Sequence, residues 1–591
     1  MSLDLATPPA PQDPVNDDLV ILDDGRTDPA DPGSPADPAR RLRRRLIPPL
    51  AASLVIQIII AAGDKLPSVD GTAYFEAGRN LLNGNGYTRE GGPELHFPPL
   101  APVALALLEK LTGTEVGALR AWGLLTSIAV VAMIVLLAQR IWRHDSTTVA
   151  AAWLGGTMAG LTPLFTRQGG GSESIALAAL LAAALFVLYA LDDHRTIAGR
   201  TAWLAGSGFA VGMAYLARPE SLLPGAMIGF ALVLEALRRP GSFRTRIGRV
   251  FAWALPFGLV IIVCVFPYLV YLHGHTGKWS ATDKSQDASI EAWRAVAENK
   301  RTDRDRVLYA VGPSGTSLGR ATQPLTTLAK QDPRGWLGIV GVNVRMLWKL
   351  FVVPDRTIGF NWRLIPGFLL IFAGIEAWRS RRRGSVQLLV AMGLMPVVTC
   401  VAFFALPRYL VLTTAVLTLL AARGLVVSLS RMGPNAARAV LALTIVFMAT
   451  STIAEMQPLL PGATTIDPIE QRDAGVWIDA NLPPNARIMT RSFHVQFYGH
   501  RPVVAMPSSD YATMMAFARR MGVQYIVASQ VIEGRRRPEI YSVLMRYEQP
   551  PGLEFVKYFR VRNRRVRIYK LVPPPPPSDQ DPIPLGYVSD G

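Results

Sequence analysis

Apolar residues run in long uncharged blocks, and arginine-rich segments punctuate them. Arg249 to Leu272 (RVFAWALPFGLVIIVCVFPYLVYL) is one such block, and about 20 apolar residues suffice to cross a bilayer as a helix. Arginines follow the blocks at Arg140 and Arg143, at Arg195 and Arg200, at Arg238, Arg239, Arg244, Arg246 and Arg249, at Arg379, Arg381, Arg382 and Arg383, and at Arg431 and Arg438. Lys and Arg collect in cytoplasmic loops, so each cluster is assigned to the inside. One outward and one inward span between successive clusters gives about eleven spans at the roughly 20-residue length. They fall at 46–62, 117–139, 147–166, 173–191, 201–217, 221–237, 250–272, 362–378, 386–406, 409–428 and 439–457. The run Arg40, Arg41, Arg43, Arg44, Arg45 abuts the first and reads as a signal anchor, far from the start of the chain. The pattern predicts a multi-pass protein of the inner (plasma) membrane, N-terminus cytoplasmic and C-terminus outside.

Two apolar stretches do not fit this count. Pro98 to Leu111 is short, and Trp336 to Val353 carries Asn343, Arg345 and Lys349. Counting either as a span inverts arginine clusters, so both are read as helices along the outer surface; if both span, the total is thirteen. Residues 1–39, rich in Pro and Asp, form a disordered cytoplasmic tail. The transmembrane domain covers 40–463, with large outer loops at 63–114 and 273–360. Residues 464–572 form a separate outer α/β domain. Asp467-Pro468-Ile469-Glu470 reads as a helix start with Asp467 as N-cap. Strands are predicted at 486–490, 502–506 and 523–529, a helix at 511–522 and a hairpin over 555–572 around Asn563. Residues 573–591 are a Pro-rich, disordered end. The fold class is thus a polytopic α-helical membrane protein with an outer α/β domain.

Composition agrees. Half of the 591 residues are apolar, 18% are charged and mean hydropathy is +0.25, which excludes a disordered chain and an ordinary soluble enzyme. The net charge of +17 lies in separate short loops, so it reads as inside-positive bias rather than a nucleic-acid surface. Cys264 and Cys400 sit in apolar blocks and imply neither a disulfide framework nor a zinc site. No cofactor is called for. His273 and His275 lack the further ligands that zinc needs, so a divalent metal has no support. The GGG run at 169–171 lacks a P-loop Lys, and the α/β tail lacks G-x-G-x-x-G, so neither is a nucleotide cradle.

Candidate chemistry gathers in the first outer loop. Asp70 lies just past the first span, and Tyr74, Ala77 and Leu81 follow at helical spacing, which puts Asp70 at the start of an amphipathic helix. An N-cap would also place an Asp there. From here the chain resembles a known family. D-x-x-x-Y-x-x-A at Asp70, then L-x-N-G-x-G-Y, F-P-P-L and L-T-G, are similar to the first loop of GT-C superfamily glycosyltransferases. The style is that of bacterial protein O-mannosyltransferase-like and lipid A aminoarabinose transferase-like proteins. GGGSESIALAALLAAALFVLYAL, GMAYLARPESLLP, PYLVYLHGHTGKWSATDKS, PRYLVLTTAVLTLLAARGL and DAGVWIDANLPPNARI fit in order, over roughly residues 46 to 530. Gly71 stands where many relatives carry a second acid, and Phe97, after His96, where many carry Lys, His or Tyr before Pro-Pro.

The resemblance implies an inverting glycosyltransferase. Its partners would be a polyprenyl-phosphate sugar donor, a lipid, glycan or protein acceptor at the outer face, and membrane lipids, but no nucleic acid. It maps the catalytic base onto Asp70 and places a second acid near Glu173. Arg218 (ARPE) and Arg408 (PRY) fall at outer span ends, where guanidinium suits a phosphate, although snorkelling also puts arginines at interfaces. Tyr74, His96 and His275 complete the candidate substrate loop. The alternatives are a lipid or polysaccharide transporter or flippase, and a family member that binds without catalysis. Transporters place polar groups near mid-membrane, whereas these candidates collect at one interface.

Overall fold

A computed structural model describes residues 38–61, 66–166, 171–192, 195–282, 294–295, 298, 300–318, 325–352, 364–403, 405–456, 467–547 and 549–575. The predicted tail up to residue 37, most of the Pro-rich end and Gly169-Gly170 lie outside them. The membrane part is built from α1 (Pro38–Ala61), α2 (Val69–Leu82), a short hairpin of β1 (Thr88–Arg89) and β2 (Gly92–Pro93), α3 (Leu100–Thr112), α4 (Glu115–Ile141), α5 (Thr148–Gly160), α6 (Glu173–Ala190), α7 (Ile197–Ala217), α8 (Leu222–Arg238) and α9 (Phe243–Thr276). It continues through α10 (Arg301–Leu308), α11 (Pro333–Val352), α12 (Gly367–Arg379), α13 (Gly384–Ala402), α14 (Val411–Leu429) and α15 (Pro434–Met456). Each of the eleven predicted spans falls on one of these helices.

Eight helices among the described residues are long and apolar enough to cross a membrane. Seven coincide with predicted spans. The eighth is α11, which the sequence assigned to the surface. It joins the two halves of the molecule: Ile339 belongs to the core of the α/β domain, and Leu347 and Leu350 to that of the bundle. The polar Asn343 that argued against a span is buried, and its amide donates to the Val401 and Phe403 carbonyls at 3.1 and 2.9 Å. At the other end of the scale, α3, α5 and α12 have 13 residues each, short of the roughly 20 that a full crossing needs.

Helix α14 is the axis of the bundle. Of its 19 residues 17 are buried, as expected for a helix that is apolar nearly all round. Small residues let neighbours close on it: a Cβ at Gly424 would lie 2.1 Å from the Phe372 carbonyl oxygen of α12. The same device joins α2 to α3, where a Cβ at Gly78 would meet the Pro102 carbonyl at 2.2 Å.

The α/β domain contains α16 (Ile469–Asn481), β3 (Ile488–Thr490), α17 (Phe493–Gly499), β4 (Val503–Ala505), α18 (Tyr511–Arg520), β5 (Tyr525–Ser529), α19 (Gln530–Arg536), α20 (Pro538–Arg546), β6 (Leu553–Val561) and β7 (Arg564–Leu571). The five strands run in the order β4-β3-β5-β7-β6, the first three parallel and the rest antiparallel. Alternate residues feed two cores, as a period of two demands. Ile488, Val527 and Ile568 face α16 and α10, while Met489, Ile526 and Tyr569 face α18 and α20. The hairpin turns at Arg562-Asn563. The first helix starts one residue later than its Asp467 cap predicted: Ile469 is its first residue, and Pro468, without a side-chain hydrogen bond, occupies the N-cap position.

A buried ion cluster ties α10, which falls in chain order between membrane helices, to this domain. Asp305 is fully buried and takes Arg491, Arg536 and Arg537 at 3.3, 3.3 and 2.7 Å. Burial alone would raise its carboxyl pKa, but these arginines outweigh it and hold the pKa far below the usual range. Nearby, burial pushes the Glu533 carboxyl up to about 7, while the Ser529 amide donates to it at 2.6 Å. The folded state therefore binds a proton that an unfolded chain, with a Glu near 4.5, releases. Glu533 costs the domain stability progressively as pH rises from about 4.5 through 7. The Asp305 contribution is constant there, because it is lost only below its unfolded pKa. Thermal unfolding should thus fall between pH 5 and 7.5, and Glu533→Gln should flatten that slope; an unchanged slope contradicts this account.

Candidate active site

Four separate elements bring the predicted site residues together at one end of the bundle. Helix α2 is capped by Ser68, whose Oγ accepts the Gly71 amide at 3.0 Å. Asp70, one residue inside the helix, is therefore not the N-cap that its position also allowed. Its carboxylate instead accepts from Arg408 Nη1 at 2.9 Å. Asp70 is 9% exposed, on the buried face that carries Ala73, Tyr74, Ala77 and Gly78.

Prolines set the two arginines. Arg218 ends α7 in extended conformation (φ −151°, ψ 117°), as a residue before proline prefers, and Pro219 opens a single 3-10 turn. Arg408 lies in a similar turn, Pro407–Leu410, ahead of α14. Arg218 donates through Nε to Glu220 at 2.6 Å and through Nη1 to Glu173. The Nε of Arg408 lies 4.0 Å from the same Glu173 oxygen. Tyr409 stands between the guanidiniums, which sit 4.9 Å (Arg218) and 5.2 Å (Arg408) from its ring centre; its hydroxyl accepts from Arg408 at 3.3 Å. Glu173 is 2% exposed at the first position of α6, where a helix N-terminus favours an acid. The result is a compact array in which Asp70, Glu173 and Glu220 face Arg218 and Arg408. Buried charges persist only when partnered in this way.

Tyr74 joins the array through a 3.0 Å hydrogen bond to Ser172, the residue before Glu173. Burial, then the charges of Asp70 and Glu173, push its phenol well above the ordinary range, so it remains a neutral hydroxyl. Phe97 packs edge-on against Tyr74 at 4.6 Å, and His96 packs against Phe97 at 4.7 Å. His275 sits further off, at the end of α9, against Tyr271 at 4.4 Å. Its connection to the first loop runs through the Tyr271 hydroxyl, which donates to the Tyr87 carbonyl at 2.7 Å. His273 stacks on Trp279. Among the described residues no three His, Cys, Asp or Glu side chains gather as a metal site.

The sequence did not single out Glu94, Ser172 or Tyr409. Glu94 is almost wholly buried; it accepts the His96 and Phe97 amides at 2.6 and 3.0 Å and pairs with Arg89. It thereby fixes the loop that presents Phe97 to Tyr74. Its only sequence signal was an acid within an apolar, proline-bounded stretch.

This architecture is the GT-C fold of membrane glycosyltransferases. Residues 96–271 match the dolichyl-phosphate-mannose-protein mannosyltransferase family, a segment that holds Glu173 and Arg218 but neither Asp70 nor Arg408. Among solved structures, the chain is similar to ArnT from Cupriavidus metallidurans in the apo state, with 15% identity, 89% of this chain and 98% of that chain covered, and a TM-score of 0.53. The same protein bound to undecaprenyl phosphate matches with 14% identity, 90% and 99% coverage and a TM-score of 0.51. The oligosaccharyltransferase AglB from Archaeoglobus fulgidus, in complex with an inhibitory peptide and a dolichol-phosphate, matches with 15% identity, 84% and 70% coverage and a TM-score of 0.54. No curated protein matches the chain by sequence.

Proposed function

We propose that this protein is an inverting membrane glycosyltransferase that moves a sugar from a polyprenyl-phosphate donor to an acceptor hydroxyl at the outer face. The observation that carries the reading is the pairing of Asp70 with Arg408 at 2.9 Å, beside the Glu173–Arg218 pair. It sets a carboxylate next to two guanidiniums where helices end. Two of the similar structures are complexes with a dolichol-phosphate and with undecaprenyl phosphate, which agrees with a lipid-linked donor here.

The chemistry follows from the groups. The acceptor oxygen attacks the anomeric carbon while Asp70 takes its proton. The bond from that carbon to the phosphate oxygen breaks, and polyprenyl phosphate leaves with the electron pair. One displacement inverts the anomeric centre. The leaving phosphate needs positive charge rather than a proton, and Arg218 and Arg408 supply it. A phosphate at Arg408 competes with Asp70 for the same guanidinium, so donor binding frees the carboxylate for the acceptor. Glu173, between the two arginines, holds them at the spacing that a phosphate needs.

The arginines carry the test. Arg218→Ala and Arg408→Ala should each weaken binding of a polyprenyl-phosphate sugar by roughly 10- to 150-fold, the value of about 1.5–3 kcal/mol for a charge-assisted contact. Lys should restore part of it, since it keeps the charge but not the fork. Unchanged donor affinity in both Ala variants makes them interfacial arginines only.

A further inference from the structure

The α/β domain does more than cover the membrane helices, because it reaches the start of the helix that carries Asp70. His494, 7% exposed on α17, lies with Nε2 2.8 Å from the Pro67 carbonyl oxygen. A carbonyl only accepts, so this nitrogen carries the hydrogen. Pro67 precedes the cap Ser68, whose own carbonyl accepts the Thr72 amide at 2.8 Å. Val69 packs with the domain core. One turn further along α17, Phe497 belongs to the cluster of Ala73, Tyr74, Phe75 and Phe97, and the Arg79 guanidinium sits 5.0 Å over its ring. Two points on α17 thus meet the chain on either side of Asp70, one just before α2 and one along it, and fix the helix along its axis and in rotation.

We propose that His494 is a positioning residue for the transfer reaction: through the Pro67 carbonyl, the α/β domain sets where the Asp70 carboxylate stands. The proposal rests on the glycosyltransferase reading above. Arg218 and Arg408 stand on other elements, and a donor phosphate would take the place of Asp70 at Arg408, so in the donor complex His494 acts on the carboxylate rather than on the phosphate contacts. Misplacing a reacting group by about 1 Å costs on the order of 10²-fold, which bounds the effect.

The test compares His494→Leu, which keeps bulk and removes the donor, with His494→Gln, whose amide nitrogen reaches the Nε2 position. With purified full-length protein, His494→Leu should lower kcat by roughly 10- to 100-fold. Affinity for the polyprenyl-phosphate sugar should stay within about threefold, and Gln should recover most of kcat. A Leu variant with kcat within about twofold of the parent overturns the proposal. So does a matching loss of donor affinity, or a Gln variant as slow as Leu. Hydrogen exchange of residues 66–75 separates this from the functional reading. If the parent transfers no sugar, that reading fails, while faster exchange in Leu but not in Gln still supports the seating, and equal exchange in all three overturns it.

Discussion

Asp70→Asn should lower sugar-transfer turnover by about 10²–10⁴-fold, the usual share of a general base, with donor binding and folding nearly unchanged. The substitution keeps shape and a hydrogen-bond acceptor toward Arg408 but cannot take a proton. Capping does not confound the result, because Ser68 is the cap of α2. Glu173→Gln is the informative control. In the structure Glu173 lies between Arg218 and Arg408, so its loss should weaken donor binding more than it slows bound donor. If Asp70→Asn stays within about threefold of the parent while Glu173→Gln abolishes turnover of bound donor, the base is Glu173. If neither slows a transfer that does occur, no carboxylate base operates.

Asp305→Ala should destabilise the α/β domain and its junction with α10 by about 3–5 kcal/mol, the range for removing one partner of a buried ion cluster. Arg491 and Arg537 are almost fully buried and share this carboxylate, so its loss leaves them charged in a medium that cannot solvate them. Arg306, on the same short helix, sets the contrast. Its pair with Glu539 is 2.7 Å long but the arginine is more than half exposed, and such pairs contribute at most about 1 kcal/mol. Thermal unfolding of the two variants should differ accordingly. Equal melting temperatures for Asp305→Ala and Arg306→Ala refute the cluster's role.

These cases show what a sequence can and cannot reveal. Seven of the eleven spans were legible because helices such as α14 are long and almost wholly apolar. The candidate site was legible as separate pieces: an acid after the first span, an acid at the start of α6, and arginines next to prolines at helix ends. That Asp70 and Arg408 touch across 338 positions was not legible, since tertiary pairing leaves no periodic trace. Local competition misled in two places. Asp70 looked like a cap until Ser68 took that position, and Asp467 looked like one until Pro468 did. The segment around Asp305 (RTDRDRV) is nearly all polar, yet Asp305 is buried by arginines that arrive from more than 180 residues away. Helix α11 was placed on the surface because it carries Asn343, Arg345 and Lys349 and because a span there would invert the later arginine clusters; nothing local announced the carbonyls that satisfy Asn343.

The central claim is transfer of a sugar from a lipid phosphate. The most direct measurement offers purified protein in lipid bilayers a panel of polyprenyl-phosphate sugars with an acceptor mixture, and follows release of polyprenyl phosphate together with the anomeric configuration of the product. The account predicts release from at least one donor, an inverted product, and loss of both in Asp70→Asn. Transfer only from nucleotide sugars, or a product that retains configuration, would contradict it.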